Sequence, residues 1–507
     1  MTSDSGLGGG PDQPLYYKMG LVLIGLAGLA VLLRNWWMSG TLFLDEVLLL
    51  ESVVERGFGG FAEPLENTQI APLGFLVVQK LMVEGFGLSE RVVRGVPTLA
   101  ALATVPAGAW LVYRTCRPVA GLVVYTGLLT NQIWLFQAVQ VKPYTLDVLF
   151  AVLGLLVGLR YVRGPVGRGG VVLASVVGGV GCWFSIPFYL VAMGLGVVVL
   201  AVWLREPGGR RWWALVLPVV VGGVSGAVHY VWALRAQRAG SAGSFMEGYW
   251  GDALLPMPWA GVGAVRHWLR VLEEALVAAT GLAVSGAVLL LVVLAVVVGV
   301  RGKDRVVWLM GVPVLVAVLA SVAGLYPLAD RLVLYLGPCL LVLAGLGLGG
   351  LGTRVGGRSG LVLVLVMGGL MLSTPLAMAR WVPRNDELKP VLRAVHERLE
   401  PGQWVYVFEG GLDVYDFYVG YLDPGLGFDE ATLVRGADHE GQASGYAEEI
   451  GGLAMRGEGW LVFSHETRVG GIDEAVLFDT LLASRGEVLE VVEFTGARAV
   501  RWRGGGG

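Results

Sequence analysis

The segment YKMGLVLIGLAGLAVLLRNWWMSGTLFLDEV, residues 17–47, decides how the rest of the chain is read. From Tyr17 to Met38 it is apolar except for Lys18, Arg34 and Asn35. That is longer than a signal-peptide core, and no small-x-small cleavage pattern follows, so it reads as an uncleaved first membrane span. Directly after it come two adjacent carboxylates, Asp45 and Glu46. The chain therefore starts with an anchored helix and then sets paired acids at the membrane's edge.

Composition generalises the first point. Of 507 residues, 55% are hydrophobic and only 15% charged, and the mean hydropathy is +0.67. No water-facing surface is built from such a mixture, so the bilayer is the main solvent. The net charge of −3 offers no general attraction to nucleic acid, and partners should be lipidic. Cys116, Cys182 and Cys339 are odd in number and lack metal-ligand spacing, which argues against a disulfide framework or a zinc site. The 78 glycines fit close helix packing, and no P-loop run occurs among them.

Charges and loop residues divide the chain into about eleven segments long enough to cross a membrane, each needing roughly 20 apolar residues. They run from 18 to 37, 92 to 113, 119 to 136, 144 to 161, 169 to 185, 186 to 204, 212 to 232, 275 to 299, 306 to 324, 331 to 352 and 359 to 378. Ile70 to Phe86 carries Gln79, Lys80 and Glu84 and reads as a juxtamembrane helix. With the N-terminus inside, the short loops holding Arg114 and Arg117, Arg160 to Arg168, Arg205 to Arg211, Arg301 to Arg305, and Arg354 and Arg358 all face the cytoplasm. Only that parity satisfies the positive-inside rule. It leaves outside a loop over 38–90 with juxtamembrane helices, a loop from Ala233 to Glu274, and everything after Ala379.

The last part has soluble composition. Helical runs at Glu387 to Leu399 and Asp473 to Ser484 alternate with strand-like runs at Trp404 to Phe408, Gly459 to Phe463, Val488 to Phe494 and Ala499 to Trp502. The expected architecture is an α-helical polytopic membrane protein: a transmembrane domain over 1–379, an extracytoplasmic α/β domain over 380–503 and a disordered tail at 504–507.

Charged groups beside spans are expensive and so are functional candidates. Asp45 and Glu46 suit a general base or a divalent ion such as Mg²⁺ or Mn²⁺; the plain alternative is a helix N-terminus that favours acids. In Gln137-Ala-Val-Gln-Val-Lys-Pro-Tyr-Thr-Leu-Asp147, Pro143 breaks the helix and gathers Gln140, Lys142, Tyr144 and Asp147 at an outer junction. At Tyr326-Pro-Leu-Ala-Asp-Arg331, Arg331 suits a phosphate, unless it merely pairs with Asp330. Arg235, Arg238, Arg266 and Arg270 form an outward basic cluster against the positive-inside trend. The five histidines show no ligand spacing and take no role.

The order of these motifs resembles that of the GT-C glycosyltransferases. The resemblance rests on Leu44-Asp45-Glu46, Asn67-Thr-Gln-Ile-Ala-Pro-Leu-Gly-Phe75 with Gln69 inside it, Ser89-Glu-Arg-Val-Val-Arg94 and Gln140-Val-Lys-Pro-Tyr144. It is nearest to the family of the lipid A aminoarabinose transferase, the protein O-mannosyltransferases and the rhizobial lipopolysaccharide core glycosyltransferases. It implies a GT-C fold and inverting transfer from a polyprenyl-phosphate sugar to an extracytoplasmic glycolipid, polysaccharide or protein. It also implies a place in the inner (plasma) membrane and a central role for Asp45 or Glu46. Lys142 stands where that family often has Arg. Gln69, Gln140, Lys142, Tyr144, Asp147, Arg235, Arg238 and Arg331 are the expected substrate contacts. A transporter or flippase of a lipid-linked or polar solute is the competing reading, but it calls for mid-span charges and matching halves, and no internal repeat is evident.

Overall fold

The computed structural model describes residues 13–206, 211–239, 248–257, 259–282, 285–355, 383–439, 442–466, 468–469 and 472–505, with 359, 362, 365, 366, 368 and 369. Most of the segment expected as a span at 359 to 378 lies outside the described residues. The chain forms two compact units, one of Met1–Trp37, Arg56–Met82 and Arg94–Trp381, the other of Met38–Glu55, Val83–Val93 and Val382–Gly507.

The first unit is helical. Among the described residues, 8 helices are long and apolar enough to cross a membrane: Leu15–Trp37, Gly95–Thr115, Tyr144–Arg163, Phe188–Arg205, Trp212–Ala239, Ser285–Gly302, Arg305–Val322 and Asp330–Gly352. Pro118–Thr130 and Arg168–Phe184 are apolar but shorter. Helices suit these runs because lipid offers the backbone no partner, and a helix satisfies its own N–H and C=O groups. Asp330–Gly352 is buried almost throughout and forms the centre of the unit, whereas Trp212–Ala239 turns most of its surface outward. Leu73–Phe86 has 14 residues, short of the roughly 20 that a span requires.

Two of the expected spans are interrupted, and one residue accounts for both breaks. The run from 119 to 136 divides at Asn131 into Pro118–Thr130 and Gln132–Gln137. Asn131 Oδ1 accepts the N–H of Trp134 at 3.0 Å and caps the second piece. Its Nδ2 donates to the carbonyls of Ala278 at 2.9 Å and Ala279 at 3.2 Å, in the last turn of Val262–Thr280. That helix then ends at Gly281, whose φ of +70° is costly for any other residue. The expected span from 275 to 299 is therefore the end of one helix and most of Ser285–Gly302. Asn131→Ala would leave buried carbonyls without a donor, so we expect a lower thermal unfolding midpoint in detergent, equivalent to about 1 to 3 kcal/mol.

The second unit is an α/β layer. Strands β1 (Trp404–Val407), β2 (Leu433–Arg435), β3 (Glu458–Ser464), β6 (Gly486–Phe494) and β7 (Ala497–Gly504) form a sheet in the order β2-β1-β3-β7-β6. The short β4 (Arg468–Val469) and β5 (Ile472–Asp473) pair separately. β1 runs parallel to β2 and β3, and β7 runs antiparallel to β3 and β6. Every residue of β1 is buried, as expected of a parallel strand between neighbours. Tyr406, Phe408, Leu461, Phe463, Phe478 and Trp502 form the core with helices Ala443–Ala454 and Glu474–Arg485. β7 runs on to Gly504, and the Gly505 N–H donates to the Arg485 carbonyl at 2.9 Å, so both residues are ordered rather than tail.

The first loop contributes to this unit. Helix Leu44–Glu55 packs on Glu409–Phe417, and the Leu42 N–H donates to Tyr418 Oη at 2.8 Å. Glu90 pairs with Lys389 at 2.6 Å and accepts from Tyr418 Oη at 3.3 Å. Gly40 lies so close to the Glu387 carboxylate that a Cβ there would require the Glu387 side chain to move. Burial opposes charge on Glu90, but the Lys389 ammonium and the Tyr418 hydroxyl outweigh it and hold the carboxyl below its usual range.

Candidate active site

In the membrane unit, the helix break after Gln137 does what Pro143 suggests. The chain turns tightly, with the Lys142 N–H on the Gln140 carbonyl at 2.7 Å, and restarts as Tyr144–Arg163. The turn buries Lys142, which is 8% exposed, and its Nζ donates to Gln69 Oε1 at 2.6 Å. Gln69 follows Asn67 and Thr68, whose φ values of +53° and +58° are both left-handed. Two successive non-glycine residues held that way are strained, and such strain concentrates where a side chain must be aimed.

Two residues beyond Lys142, Tyr144 Oη accepts from Arg331 Nε at 3.2 Å. The Arg331 guanidinium stands 5.8 Å from the Tyr144 ring and 5.8 Å from the Trp250 ring. It is held by aromatic faces, in an environment suited to a cation. Asp330, immediately before it, also has a left-handed φ of +40°. Tyr326 Oη donates to the Leu332 carbonyl at 2.9 Å, and its ring meets Tyr335 edge-on at 5.8 Å, which fixes the turn that carries Arg331.

The other expected contacts are dispersed. Gln140 is buried, with Nε2 on the adjacent Val139 carbonyl at 3.2 Å. Asp147 is buried one turn inside its helix, facing Ser185. Arg235 and Arg238 are not in a loop: Trp212–Ala239 continues through a π-turn at Tyr230–Leu234 and carries them on its exposed last turn. Arg238 reaches the Leu325 carbonyl at 3.5 Å, beside the Tyr326 turn. Arg266 and Arg270 are exposed on Val262–Thr280.

Asp45 and Glu46 belong to the second unit and differ in environment. Glu46 is fully buried and its Oε2 accepts the Phe43 N–H at 2.9 Å, the reach-back of a capping box at a helix start. Asp45 is partly exposed. Its charge is felt by His465, whose ring lies 5.4 Å from Phe43 and whose Nδ1 is 3.2 Å from Asp386 Oδ2. The hydrogen bond to Asp386 raises the His465 pKa above its usual value in spite of burial, and the charges of Asp386, Asp45 and Glu474 add to the rise. The stabilisation from this pair is full below about pH 6.5 and is lost as pH rises through the elevated pKa of the folded state. We expect the unfolding midpoint to fall from pH 6 to pH 9 more steeply in the wild type than in His465→Gln. Among the described residues no three His, Cys, Asp or Glu side chains gather as a metal site, so Asp45 and Glu46 offer an ion two carboxylates at most, one of them engaged in capping.

No family model matches the sequence, and no curated protein matches it. Solved structures do. Over 95% of this chain and 97% of the other, it superposes on ArnT from Cupriavidus metallidurans bound to undecaprenyl phosphate, with a TM-score of 0.50 and 13% identity. The oligosaccharyltransferase of Archaeoglobus fulgidus in complex with Zn and sulfate matches over 78% of this chain and 61% of its own, with a TM-score of 0.50 and 12% identity. Both are GT-C glycosyltransferases. This chain has the GT-C fold. The likeness runs the length of the ArnT chain and spans both units, although the resemblance in sequence motifs is confined mainly to the first third.

Several residues that bear on the site are not among those singled out from the sequence. Buried Gln237 accepts the Ala71 N–H at 3.2 Å and donates to the Phe61 carbonyl at 3.3 Å, and buried His229 accepts the Leu73 N–H at 3.2 Å. Together they fasten the segment around Gln69. His229 lies within an apolar span, where any ionisable residue is a candidate, and that signal marks it. Trp250 and the pair His465 and Asp386 have no such mark.

Proposed function

We propose that the chain is a membrane glycosyltransferase that moves a hexose or pentose from a polyprenyl-phosphate carrier to an acceptor hydroxyl or amine outside the membrane, with inversion. The observation that carries this is the pair of anchored cations at helix junctions of a GT-C membrane unit: Lys142 buried against Gln69, and Arg331 held between Tyr144 and Trp250. In the reaction the acceptor attacks the anomeric carbon, the bond to the phosphate oxygen breaks, and the carrier leaves as a phosphate with added negative charge. Lys142 and Arg331 stabilise that charge. Asp45 takes the acceptor's proton as general base, while Glu46 holds the helix start that presents it. Gln69 orients the Lys142 ammonium. The basic loops favour a plasma-membrane protein with this chemistry on the extracytoplasmic side.

The carrier is tested by extracting and weighing the lipid that copurifies with the protein in mild detergent. Polyprenyl phosphate or its sugar conjugate is expected above the background of an unrelated membrane protein, and phospholipid alone would contradict the proposal.

A further inference from the structure

The four helices Tyr144–Arg163, Arg168–Phe184, Phe188–Arg205 and Trp212–Ala239 are joined so that the turn after Arg163 and the start of Trp212–Ala239 lie at the same end of the membrane unit. There they enclose a cavity of about 300 Å³, lined by Tyr161, Gly167, Arg168, Trp203, Arg211 and Trp213 among others. We propose that this cavity binds the phosphate headgroup of an anionic membrane lipid, independently of the sugar-transfer reaction.

Charge is the first reason. Arg168 and Arg211 both line the cavity, and among the described residues no Asp or Glu does. The nearest acid in sequence, Glu206, is paired with Arg305. Backbone polarity is the second. Arg168–Phe184 and Trp212–His229 both begin at the cavity, and neither has a side-chain cap at its N-cap residue, Gly167 or Arg211. Each helix start offers N–H groups that its own turn cannot satisfy and the positive end of a dipole, and two of them aimed at one volume favour an anion.

The walls are aromatic, with Trp203 and Trp213 both lining the cavity. The Tyr161 hydroxyl is already used, donating to the Ala214 carbonyl at 2.8 Å, so Tyr161 shapes the wall.

A lipid fits better than a soluble ion. The cavity lies among the basic loops that the positive-inside rule assigns to the cytoplasmic leaflet, where anionic lipids attract such pockets. Its surroundings are apolar and outward-facing: Leu204 and Trp212 are 63% and 66% exposed, which places acyl chains beside the headgroup position.

The test is native mass spectrometry of the full chain in mild detergent, titrated with phosphatidylglycerol and, separately, with zwitterionic phosphatidylcholine. Wild type should retain phosphatidylglycerol preferentially. Arg168→Ala with Arg211→Ala should weaken that binding by about tenfold or more. The exposed pair Arg301→Ala with Arg354→Ala removes the same charge elsewhere and should leave binding within about twofold. Equal binding by the Arg168 and Arg211 double variant, or an equal loss in the Arg301 and Arg354 control, would overturn the proposal. Displacement of the lipid by millimolar inorganic phosphate would also overturn it, by assigning the cavity to a soluble anion.

Discussion

Asp45→Asn is expected to reduce sugar transfer by roughly 10² to 10⁴-fold, the range that general-base assistance supplies, with little change in unfolding temperature. The amide keeps the size of the carboxylate and loses its basicity. Glu46→Gln should behave differently. Glu46 is buried and its carboxylate accepts the Phe43 N–H at 2.9 Å, and a glutamine carbonyl can accept the same hydrogen bond. Its cost should be a helix-start effect of about 0.3 to 1 kcal/mol, with transfer within about tenfold of wild type. The two neighbours, which sequence alone leaves equivalent, thus separate into one variant without activity and one slightly less stable. Initial rates with the purified variants, alongside their melting curves, check the split.

The second large effect is expected at the cations. Arg331→Ala should weaken binding of polyprenyl phosphate by about 10- to 100-fold, since charge-assisted bonds to phosphate are worth roughly 1.5 to 3 kcal/mol. Lys142→Ala should do the same. Arg331→Lys should recover only part of the loss, because a lysine keeps the charge but cannot stack between the Tyr144 and Trp250 rings or present a planar fork. The phosphate is charged before and after transfer, so these variants should lose carrier affinity as well as rate. Asp45→Asn should lose rate alone. Titration of polyprenyl phosphate by native mass spectrometry distinguishes the two patterns.

The fold was legible where a pattern is local. Apolar runs marked the membrane helices, and the alternation after Glu387 marked β1, β3, β6 and β7 with helices Leu388–Arg398 and Glu474–Arg485. β2 has three residues, too few to show a period. Breaks inside apolar runs were hidden because their cause is distant: Asn131 ends one helix by bonding to Ala278 and Ala279 of another. The composition of the second unit was hidden for the same reason. Leu42 meets Tyr418, and Glu90 meets Lys389, across more than 290 positions of chain, and no window of sequence contains both partners.

At the candidate site, the helix break at Pro143 pointed to Lys142 and Tyr144, and the junction at Tyr326 to Arg331 pointed to Arg331. How they are aimed was not legible. Gln69 was expected as a substrate contact, but its bond to Lys142 depends on the left-handed backbone at Asn67 and Thr68, which no residue type there demands. Arg235 and Arg238 looked like loop residues because the apolar pattern weakens after Trp232, whereas the helix continues to Ala239 through a π-turn.

Transfer itself is the most direct test. Purified full-length protein, incubated in detergent with a polyprenyl-phosphate-linked sugar and an envelope extract as acceptor, should release polyprenyl phosphate and pass the sugar to a component of the extract. The Asp45→Asn protein should do neither at a comparable rate. Wild type that leaves the sugar on its carrier, or an Asp45→Asn variant that turns over like wild type, would contradict the assignment of this chain as a glycosyltransferase with Asp45 as its base.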